Sequence, residues 1–345
     1  MTPKTTTPLD WAVNPDLPIP DFDIVIATCE GGGTRGISSA KQMAIVQDTT
    51  GIPIHQLFDM WAGTSTGAIE AALITSPHHY TPTDMLNMYR NDIPKIFSRS
   101  FFRNIYSLSG LAKALYGNSE LISCLGSYVG KYTVGSVNLP LLIPAYEKLK
   151  QTNVYINNRN GLWEDFPLHM AAAASASAPV YFPGLPIDDC EFIDGGVIAN
   201  NPSDIAIVSA KKWYGLTPNQ LINHVLVICF STGNASVSKL LPTGSAGGAA
   251  WAPNIYPVMS DAQGEKTHFL MDSFLESNYQ TFSPTFDRSL PLDSASKQDL
   301  QYMEDATAAY MDTEKLRVGR ICDALKKHAS KNFNFKGYPM MARYL

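Results

Sequence analysis

The stretch from residue 22 to residue 36, FDIVIATCEGGGTRG, decides the fold. Residues 22–27 are apolar except for Asp23, and the run stops at a glycine cluster, as a short buried strand does. After Gly36, apolar residues recur at roughly helical spacing until a Thr-Thr-Gly sequence ends at residue 51. The stretch therefore predicts a strand, a glycine turn and a helix, in that order.

The same order recurs in residues 58–74, FDMWAGTSTGAIEAALI. A short apolar run is followed by small residues and then by residues that favour a helix. The turn, GTSTG at residues 63–67, has the G-x-S-x-G pattern, in which small neighbours let a serine occupy a strained strand-to-helix turn. An ordinary Gly/Ser/Thr turn is the alternative. The position between a strand and a helix favours Ser65 as an exposed nucleophile, with Gly63 and Gly67 in support.

Strands and helices continue to alternate along the chain. Further strands are predicted at residues 139–146, 154–156, 192–193 and 225–230, and an alanine-rich helix at residues 168–176. Residues 81–135 lack strand character and include an aromatic-rich piece, residues 97–116, for which core packing, a lid and a membrane-docking surface all stay open. The alternation indicates an α/β fold with a mainly parallel sheet covered on both faces, in which ligands bind beyond the carboxyl ends of the strands.

We expect three parts in the chain. They are an N-terminal extension (residues 1–21), a catalytic domain (22–240, with a helical insert at about 81–135) and a C-terminal loop and helical region (241–345) packed on that domain. Within the last part, a Gly/Ala-rich loop is expected at 241–250, with 244–250 as the candidate hinge, and a polar helix from about Lys297 to His328.

Composition narrows the classes of function. Of the 345 residues, 45% are hydrophobic and 17% charged, as in soluble globular proteins, and a net charge of −5 gives no basic field for nucleic acid. The five cysteines are widely separated without C-x-x-C spacing, so we expect free thiols and no metal site. No signal-peptide pattern and no apolar run of about 18 residues is present. A cytoplasmic protein with peripheral membrane contact is therefore expected, although export without an N-terminal signal stays open.

The glycine cluster at residues 31–36 also fits G-x-G-x-x-G, the fingerprint of a dinucleotide-binding turn. That fold needs a second strand ending in an acidic residue about 20 positions on, whereas Asp48 follows a helical segment. Consecutive glycines after a strand can instead turn backbone N–H groups toward an oxyanion, with the dipole of the next helix assisting. The candidate oxyanion residues are Gly31, Gly32 and Gly33. Arg35 either fixes this loop, meets a phosphate or forms a structural ion pair.

Asp194-Gly195-Gly196 follows the strand predicted at residues 192–193. Two glycines after an acid let its carboxylate approach another loop closely. Alone, this tripeptide is weak, because Asx turns account for most Asp-Gly pairs.

Taken in order, the segments 30–36, 63–67 and 194–196 resemble the patatin-like phospholipase family. The segments 139–146, 174–183 and 192–202 are similar to that family too, and the similarity extends from about residue 22 to residue 235. It fades in the aromatic piece and in the last hundred residues. Two departures are visible: Glu30 stands where the family usually has Asp, and the CFSTG sequence beginning at Cys229 stands where Ser-Leu-Gly-Thr-Gly is common.

The resemblance implies a three-layer α/β/α fold and the hydrolysis of acyl esters by a Ser–Asp dyad in place of a triad. Ser65 matches the family nucleophile, Asp194 matches its base and the glycines at 31–33 match its oxyanion loop. The implied substrate is a phospholipid or another acyl lipid at a membrane or micelle surface, with no cofactor. Whether a protein partner activates the enzyme stays open.

Other readings of these residues remain. A non-catalytic module would hold an anionic lipid headgroup with the glycine loop and insert the aromatic piece at the interface; a dinucleotide-dependent oxidoreductase is the less favoured alternative. His224 and His268 follow Asp194, in the order of a Ser-Asp-His triad. However, His224 begins a predicted strand and His268 falls in a region predicted to be irregular, so all seven histidines are expected to be structural or exposed.

Overall fold

The computed structural model describes residues 10–97, 114–235 and 247–334, and a single large sheet organises them. Its eight strands are β1 (Ile24–Cys29), β2 (Met60–Gly63), β3 (Leu141–Glu147), β4 (Thr152–Asn157), β5 (Leu185–Ile187), β6 (Cys190–Asp194), β7 (Val225–Phe230) and β9 (Tyr279–Phe282). Two short strands, β8 (Asn234–Ala235) and β10 (Thr285–Phe286), pair separately. The order in the large sheet is β5-β6-β3-β2-β1-β7-β9, with β4 also paired to β3.

Helices cover both faces of this sheet. They are α1 (Gly36–Thr50), α2 (Thr66–Thr75), α3 (Pro82–Asn91), α4 (Ile93–Ile96), α5 (Asn118–Val129), α6 (Leu168–Ser175), α7 (Gly196–Ala199), α8 (Ser203–Tyr214), α9 (Pro218–Asn223), α10 (Gly248–Leu275), α11 (Lys297–Thr313) and α12 (Lys315–Asn334). One core contains α1–α6, α11 and α12, and the other contains α8, α9 and α10. The predicted three-layer α/β/α architecture is confirmed.

The side chains of β1 alternate between the two cores. Ile24 and Ile26 pack into the core with α8 to α10, whereas Val25 and Ala27 pack into the other core. All are buried, which a strand with helices on both faces requires. Strands β3, β2, β1, β7 and β9 run parallel to one another, and β4, β5 and β6 pair antiparallel.

The pairing of β3 brings two distant parts of the chain together. Strand β4 pairs along most of one edge of β3, so β2 and β6 share the other edge. Strand β2 runs parallel to β3 and pairs at Leu142, whereas β6 runs antiparallel and its last residue, Asp194, pairs with Ala145. The carboxyl ends of β2 and β6 therefore point toward each other beside the middle of β3.

The C-terminal region differs from its sequence-based description. The predicted Gly/Ala-rich loop was partly wrong, because α10 begins at Gly248; the first residues of the candidate hinge, 244–246, lie outside the described residues. The single polar helix was also wrong, because α11 ends at Thr313 and α12 begins at Lys315. Strand β9 was not predicted. The three-part division of the chain stays a prediction.

The described N-terminal residues lie against α12. The Arg320 guanidinium donates hydrogen bonds to the backbone carbonyls of Trp11 and Leu17. The buried His328 ring lies 2.8 Å from the Asp59 carboxylate. Burial lowers the pKa of His328, but the Asp59 carboxylate and the Phe22 carbonyl together raise it above its usual value. Over the ranges that the structure describes, no helix combines the length and the apolar character needed to cross a bilayer.

Candidate active site

Ser65 occupies the sharp turn between β2 and α2. Its backbone has φ 56° and ψ −122°, in a region that non-glycine residues rarely adopt, and the residue is buried. A Cβ atom on Gly67 would lie 2.2 Å from the Cys29 carbonyl oxygen, and one on Gly63 would lie 2.0 Å from the Gly67 carbonyl oxygen. Glycine at both positions therefore lets strand and helix approach closely enough to form a nucleophile elbow.

Asp194 lies at the end of β6, where its carboxylate is fully buried beside Ser65. Burial raises the pKa of Asp194 to about 6, although the Gly196 N–H and the hydroxyls of Ser65 and Tyr256 lower this pKa. Its Oδ1 accepts the Gly196 N–H at 2.6 Å. Among the described residues, Oδ2 accepts no hydrogen bond of regular geometry. One carboxylate oxygen therefore retains acceptor capacity next to the serine hydroxyl.

The end of α6 and the residues just after it connect Ser65 to the Asp194 loop. The Ser65 N–H donates to Ser175 Oγ at 3.0 Å, and the Gly195 N–H donates to the Ser175 carbonyl at 3.2 Å. The Asp194 N–H donates to the Ser177 carbonyl at 3.1 Å. One short segment therefore fixes the backbones of both residues, which lie 129 positions apart in the sequence.

The glycine loop lies directly against Ser65, since a Cβ atom on Gly31 would lie 3.1 Å from Ser65 Cβ. The Gly31 N–H donates to the Asn200 carbonyl at 3.0 Å and is therefore occupied. Within the part of the chain that the structure describes, the N–H groups of Gly32 and Gly33 donate to no protein acceptor, and both residues line the same pocket as Ser65. Gly32 and Gly33 are therefore the candidate oxyanion donors, and Gly31 supports the loop.

Arg35 lies beneath this loop and is buried. Its Nε and one terminal nitrogen each lie 3.5 Å from a backbone carbonyl oxygen, of Gly32 and of Gly233 respectively. Of the three roles that the sequence leaves open for Arg35, these contacts favour fixing the loop.

A family model described as "Patatin-like phospholipase" matches residues 28–207, more than half of the chain. The chain belongs to the patatin-like phospholipase family. It is 26% identical to calcium-independent phospholipase A2-gamma of Mus musculus over 90% of this chain and 41% of that protein. It is 24% identical to a cGAMP-activated phospholipase of Pseudomonas aeruginosa over 76% of this chain and 78% of that protein.

A plant relative is also similar. Patatin-like protein 4 of Arabidopsis thaliana is 24% identical over 61% of this chain and 60% of that protein. The chain spans about two fifths of the length of the calcium-independent phospholipase A2-gamma relatives that it matches.

The two departures from the patatin-like phospholipase pattern contact each other. Glu30 Oε1 lies 2.8 Å from His268 Nε2, and Cys229 Sγ lies 3.6 Å from Glu30 Oε1. Burial by itself raises the pKa of Glu30. Attraction to His268 and hydrogen bonds with His268, Ser231 and Cys229 lower it by more, so the pKa of Glu30 lies below its usual value. The longer Glu30 side chain therefore connects the start of the glycine loop to helix α10.

The histidines lie away from the dyad candidates. The prediction that His268 falls in an irregular region is wrong, because His268 is in α10; its Nδ1 lies 2.8 Å from the Tyr279 hydroxyl oxygen. His224 precedes β7, at the opposite end of the strands from Ser65, with Nδ1 3.7 Å from an Asp23 carboxylate oxygen. Neither ring has a contact with Ser65 or Asp194 in the described ranges, which disfavours a hidden triad.

The dinucleotide fingerprint lacks its acidic partner. Asp48 is exposed near the end of α1 and does not follow a strand. The close approach at Gly36 is made by the Tyr89 hydroxyl, 2.1 Å from where a Cβ atom would lie. This glycine therefore accommodates a side chain of α3.

The same tyrosine belongs to a buried polar network behind the elbow. The Tyr89 hydroxyl lies 2.5 Å from Thr66 Oγ1 and donates to Glu70 Oε1 at 3.0 Å, and Ser39 Oγ also donates to Glu70. Burial raises the pKa of Glu70 to about 8, although hydrogen bonds from Ser39 and Tyr89 lower it. Glu70 therefore favours its neutral form at pH 7. The network joins the residue after the nucleophile to helix α1.

Tyr256 is a site residue that the sequence motifs did not indicate. It is buried in α10, its hydroxyl lowers the pKa of Asp194, and burial and the Asp194 carboxylate raise the pKa of that hydroxyl. No motif identifies it, because a helix from the C-terminal region brings it to the site. Most residues lining the rest of the pocket are apolar: Ile69, Ile93, Ile96, Phe97, Leu121 and Phe182. Residues 98–113, most of the aromatic-rich piece at residues 97–116, lie outside the described residues.

Proposed function

We propose that this protein is a lipid acyl hydrolase of the phospholipase A or lysophospholipase type, with Ser65 as nucleophile and Asp194 as general base. The observation that carries the proposal is a buried carboxylate with an available oxygen next to a strained serine at one end of an apolar pocket. An ordinary aspartate is a weak base at neutral pH, and a pKa of about 6 for Asp194 brings it close to the working range.

The proposed reaction has two halves. Asp194 accepts the proton of Ser65 Oγ while that oxygen attacks the ester carbonyl carbon, and the N–H groups of Gly32 and Gly33 stabilise the resulting oxyanion. Collapse expels the alcohol, which takes the proton back from Asp194, and leaves an acyl-enzyme. Water then attacks this ester as Asp194 accepts its proton. Collapse breaks the bond to Ser65 Oγ, which takes the proton back from Asp194, and the fatty acid leaves. Each oxyanion donor contributes about 3–4 kcal/mol to the transition state.

The substrate and the regulation follow from the pocket and from the relatives. An apolar pocket suits a fatty-acyl chain, and the relatives are named as phospholipases. We therefore propose an acyl lipid at a membrane or micelle surface as substrate, with peripheral membrane contact. One relative is named for activation by cGAMP and another for activation by cUMP-AMP, so a cyclic dinucleotide is the first activator to test.

Covalent labelling tests the nucleophile directly. We expect a fluorophosphonate probe to modify the folded protein on the peptide that contains Ser65, as mapped by mass spectrometry, and not to modify heat-denatured protein. Fatty-acid release from phosphatidylcholine is measured in parallel, with and without cGAMP. Labelling at Ser65 with release only in the presence of cGAMP supports a regulated hydrolase. A folded protein that is not labelled in either condition contradicts the proposal and favours a lipid-binding module.

Tyr256→Phe tests the environment of the base. The Tyr256 hydroxyl lowers the pKa of Asp194, so its removal is expected to raise this pKa and to move the acidic limb of the kcat/KM profile upward by about one pH unit. The measurement is hydrolysis of a water-soluble ester from pH 4.5 to 9, a range that brackets the Asp194 pKa of about 6. Tyr80→Phe is the control, because that hydroxyl donates to the Tyr128 carbonyl, away from the pocket. Identical profiles for wild type and Tyr256→Phe would contradict the assigned contact.

A further inference from the structure

Helix α10 presents an apolar face to solvent. Five of its large apolar side chains are 43% to 71% exposed: Ile255, Met259, Phe269, Leu270 and Phe274. At about 100° per residue, all five fall within an arc of roughly 140° on the helix surface. A helix at the surface of a globular protein normally places polar residues on its outer face. Within residues 10–97, 114–235 and 247–334, this arc, the α10 apolar face, therefore lacks an ordinary structural explanation.

The α10 apolar face adjoins the pocket. Tyr256 and Ser260 line the pocket and are buried, and their sequence neighbours Ile255 and Met259 are exposed. One helix therefore contributes both to the pocket wall and to the apolar surface next to it. An acyl chain that moves from a bilayer into the pocket would pass along this one helix.

The charges around this face are few and mixed. Among the described residues of the arc, Lys266 is the charged one, and at about 100° per residue the exposed Glu265 and Asp261 lie roughly 40° and 80° outside one edge. A lysine within an apolar face can place its ammonium group among lipid phosphates while its methylene groups stay in the apolar layer. A two-fold contact with a second copy would instead bring two Lys266 side chains together, because Lys266 lies near the middle of the arc.

We propose that the α10 apolar face is the surface on which this protein lies against a lipid bilayer, with the pocket beside the membrane. This inference rests on the proposed function and specifies how a membrane-resident acyl lipid reaches Ser65. Docking through α10 also places the helix that carries Tyr256 and His268 in direct contact with the bilayer.

The test separates binding from catalysis. The triple variant Phe269→Ser/Leu270→Ser/Phe274→Ser is assayed for co-sedimentation with phosphatidylcholine/phosphatidylglycerol vesicles, in a Ser65→Ala background so that the lipid stays intact. Because three apolar side chains no longer enter the bilayer, we expect vesicle affinity to fall by about tenfold or more. With Ser65 present, the triple variant is expected to hydrolyse a water-soluble short-chain ester at the wild-type rate. Its hydrolysis of vesicle phospholipid falls together with the binding.

The controls use exposed leucines outside α10. Leu162→Ser/Leu316→Ser removes two side chains that are 79% and 54% exposed, and it should bind vesicles as wild type does. Lys266→Glu is the second probe, and we expect it to weaken binding to vesicles that contain phosphatidylglycerol severalfold while preserving the fold. Circular dichroism and thermal unfolding confirm the fold of each variant.

Four outcomes would overturn the inference. The first is a wild-type protein that does not sediment with vesicles, and the second is a folded triple variant that binds vesicles as wild type does. The third is a Lys266→Glu variant with unchanged affinity. The fourth is a wild-type protein that is dimeric and a triple variant that is monomeric, with equal vesicle binding. The last outcome would assign the face to a second copy of the chain. A wild-type protein that does not hydrolyse the soluble ester would instead count against the proposed function. Failure of the docking inference and failure of the proposed function are therefore distinguishable.

Discussion

Asp194→Asn is expected to lower the turnover number for ester hydrolysis by roughly 10⁴-fold while the protein stays folded. An amide does not accept the Ser65 proton at neutral pH, so the general base is lost. The Asn oxygen still accepts the hydrogen bond that the Gly196 N–H makes to Asp194. A buried charge also disappears, so the free energy of unfolding is not expected to fall by more than about 1 kcal/mol. Steady-state kinetics on a water-soluble ester and urea unfolding measure the two quantities.

Ser65→Ala is the reference for this prediction. Residues that act as one catalytic unit give effects that do not add, so the double variant should be no slower than the slower single variant. A folded Asp194→Asn protein with near-wild-type turnover would remove Asp194 from the mechanism. The pH profile gives a second readout, since the base must be ionised to act. With the pKa of Asp194 at about 6, wild-type kcat/KM should fall as the pH drops through 6, whereas an ordinary aspartate would delay the fall until about pH 4.

Local patterns were sufficient to predict the two strand-turn-helix units. The predicted strand at residues 225–230 has the same bounds as β7, and helix α1 fills the segment predicted after Gly36. Both elements end where glycine or polar residues interrupt an apolar pattern, and such interruptions are visible in the sequence. The first strand is displaced by two residues, from 22–27 to Ile24–Cys29, because its pairing with β7 fixes its register.

Features that depend on tertiary contacts could not be predicted in the same way. Helix α10 has one glycine and two prolines in its first half and exposes apolar residues, so its sequence lacks the pattern of a buried amphipathic helix. Strand β9 has four residues and is fixed by pairing with β7, which a local pattern does not show. The position of Tyr256 depends on α10, and the contact of His268 with Glu30 depends on the same helix.

Gly67→Ala is expected to destabilise the protein by about 2–4 kcal/mol and to lower turnover by about 10²-fold or more. The added methyl carbon would lie 2.2 Å from the Cys29 carbonyl oxygen and 2.8 Å from Cys29 Cβ. Cys29 is buried in β1, at the centre of the sheet, and does not move easily. Helix α2 must therefore shift outward, and Ser65 shifts with it relative to Asp194. Urea unfolding and the hydrolysis of a water-soluble ester measure both effects.

Gly126→Ala is the matched control, because the nearest atom to its added carbon, on His169, lies 3.9 Å away within contact distance. In helix α5 this change is expected to increase stability by about 0.5–1 kcal/mol. If the two variants behave alike, the close contact between β1 and α2 is not the constraint. The contrast is expected because the Cys29 carbonyl both accepts the Thr64 N–H and touches Gly67. A strained backbone at Ser65 persists only where its neighbours hold it, and this carbonyl holds the elbow on both sides of the nucleophile.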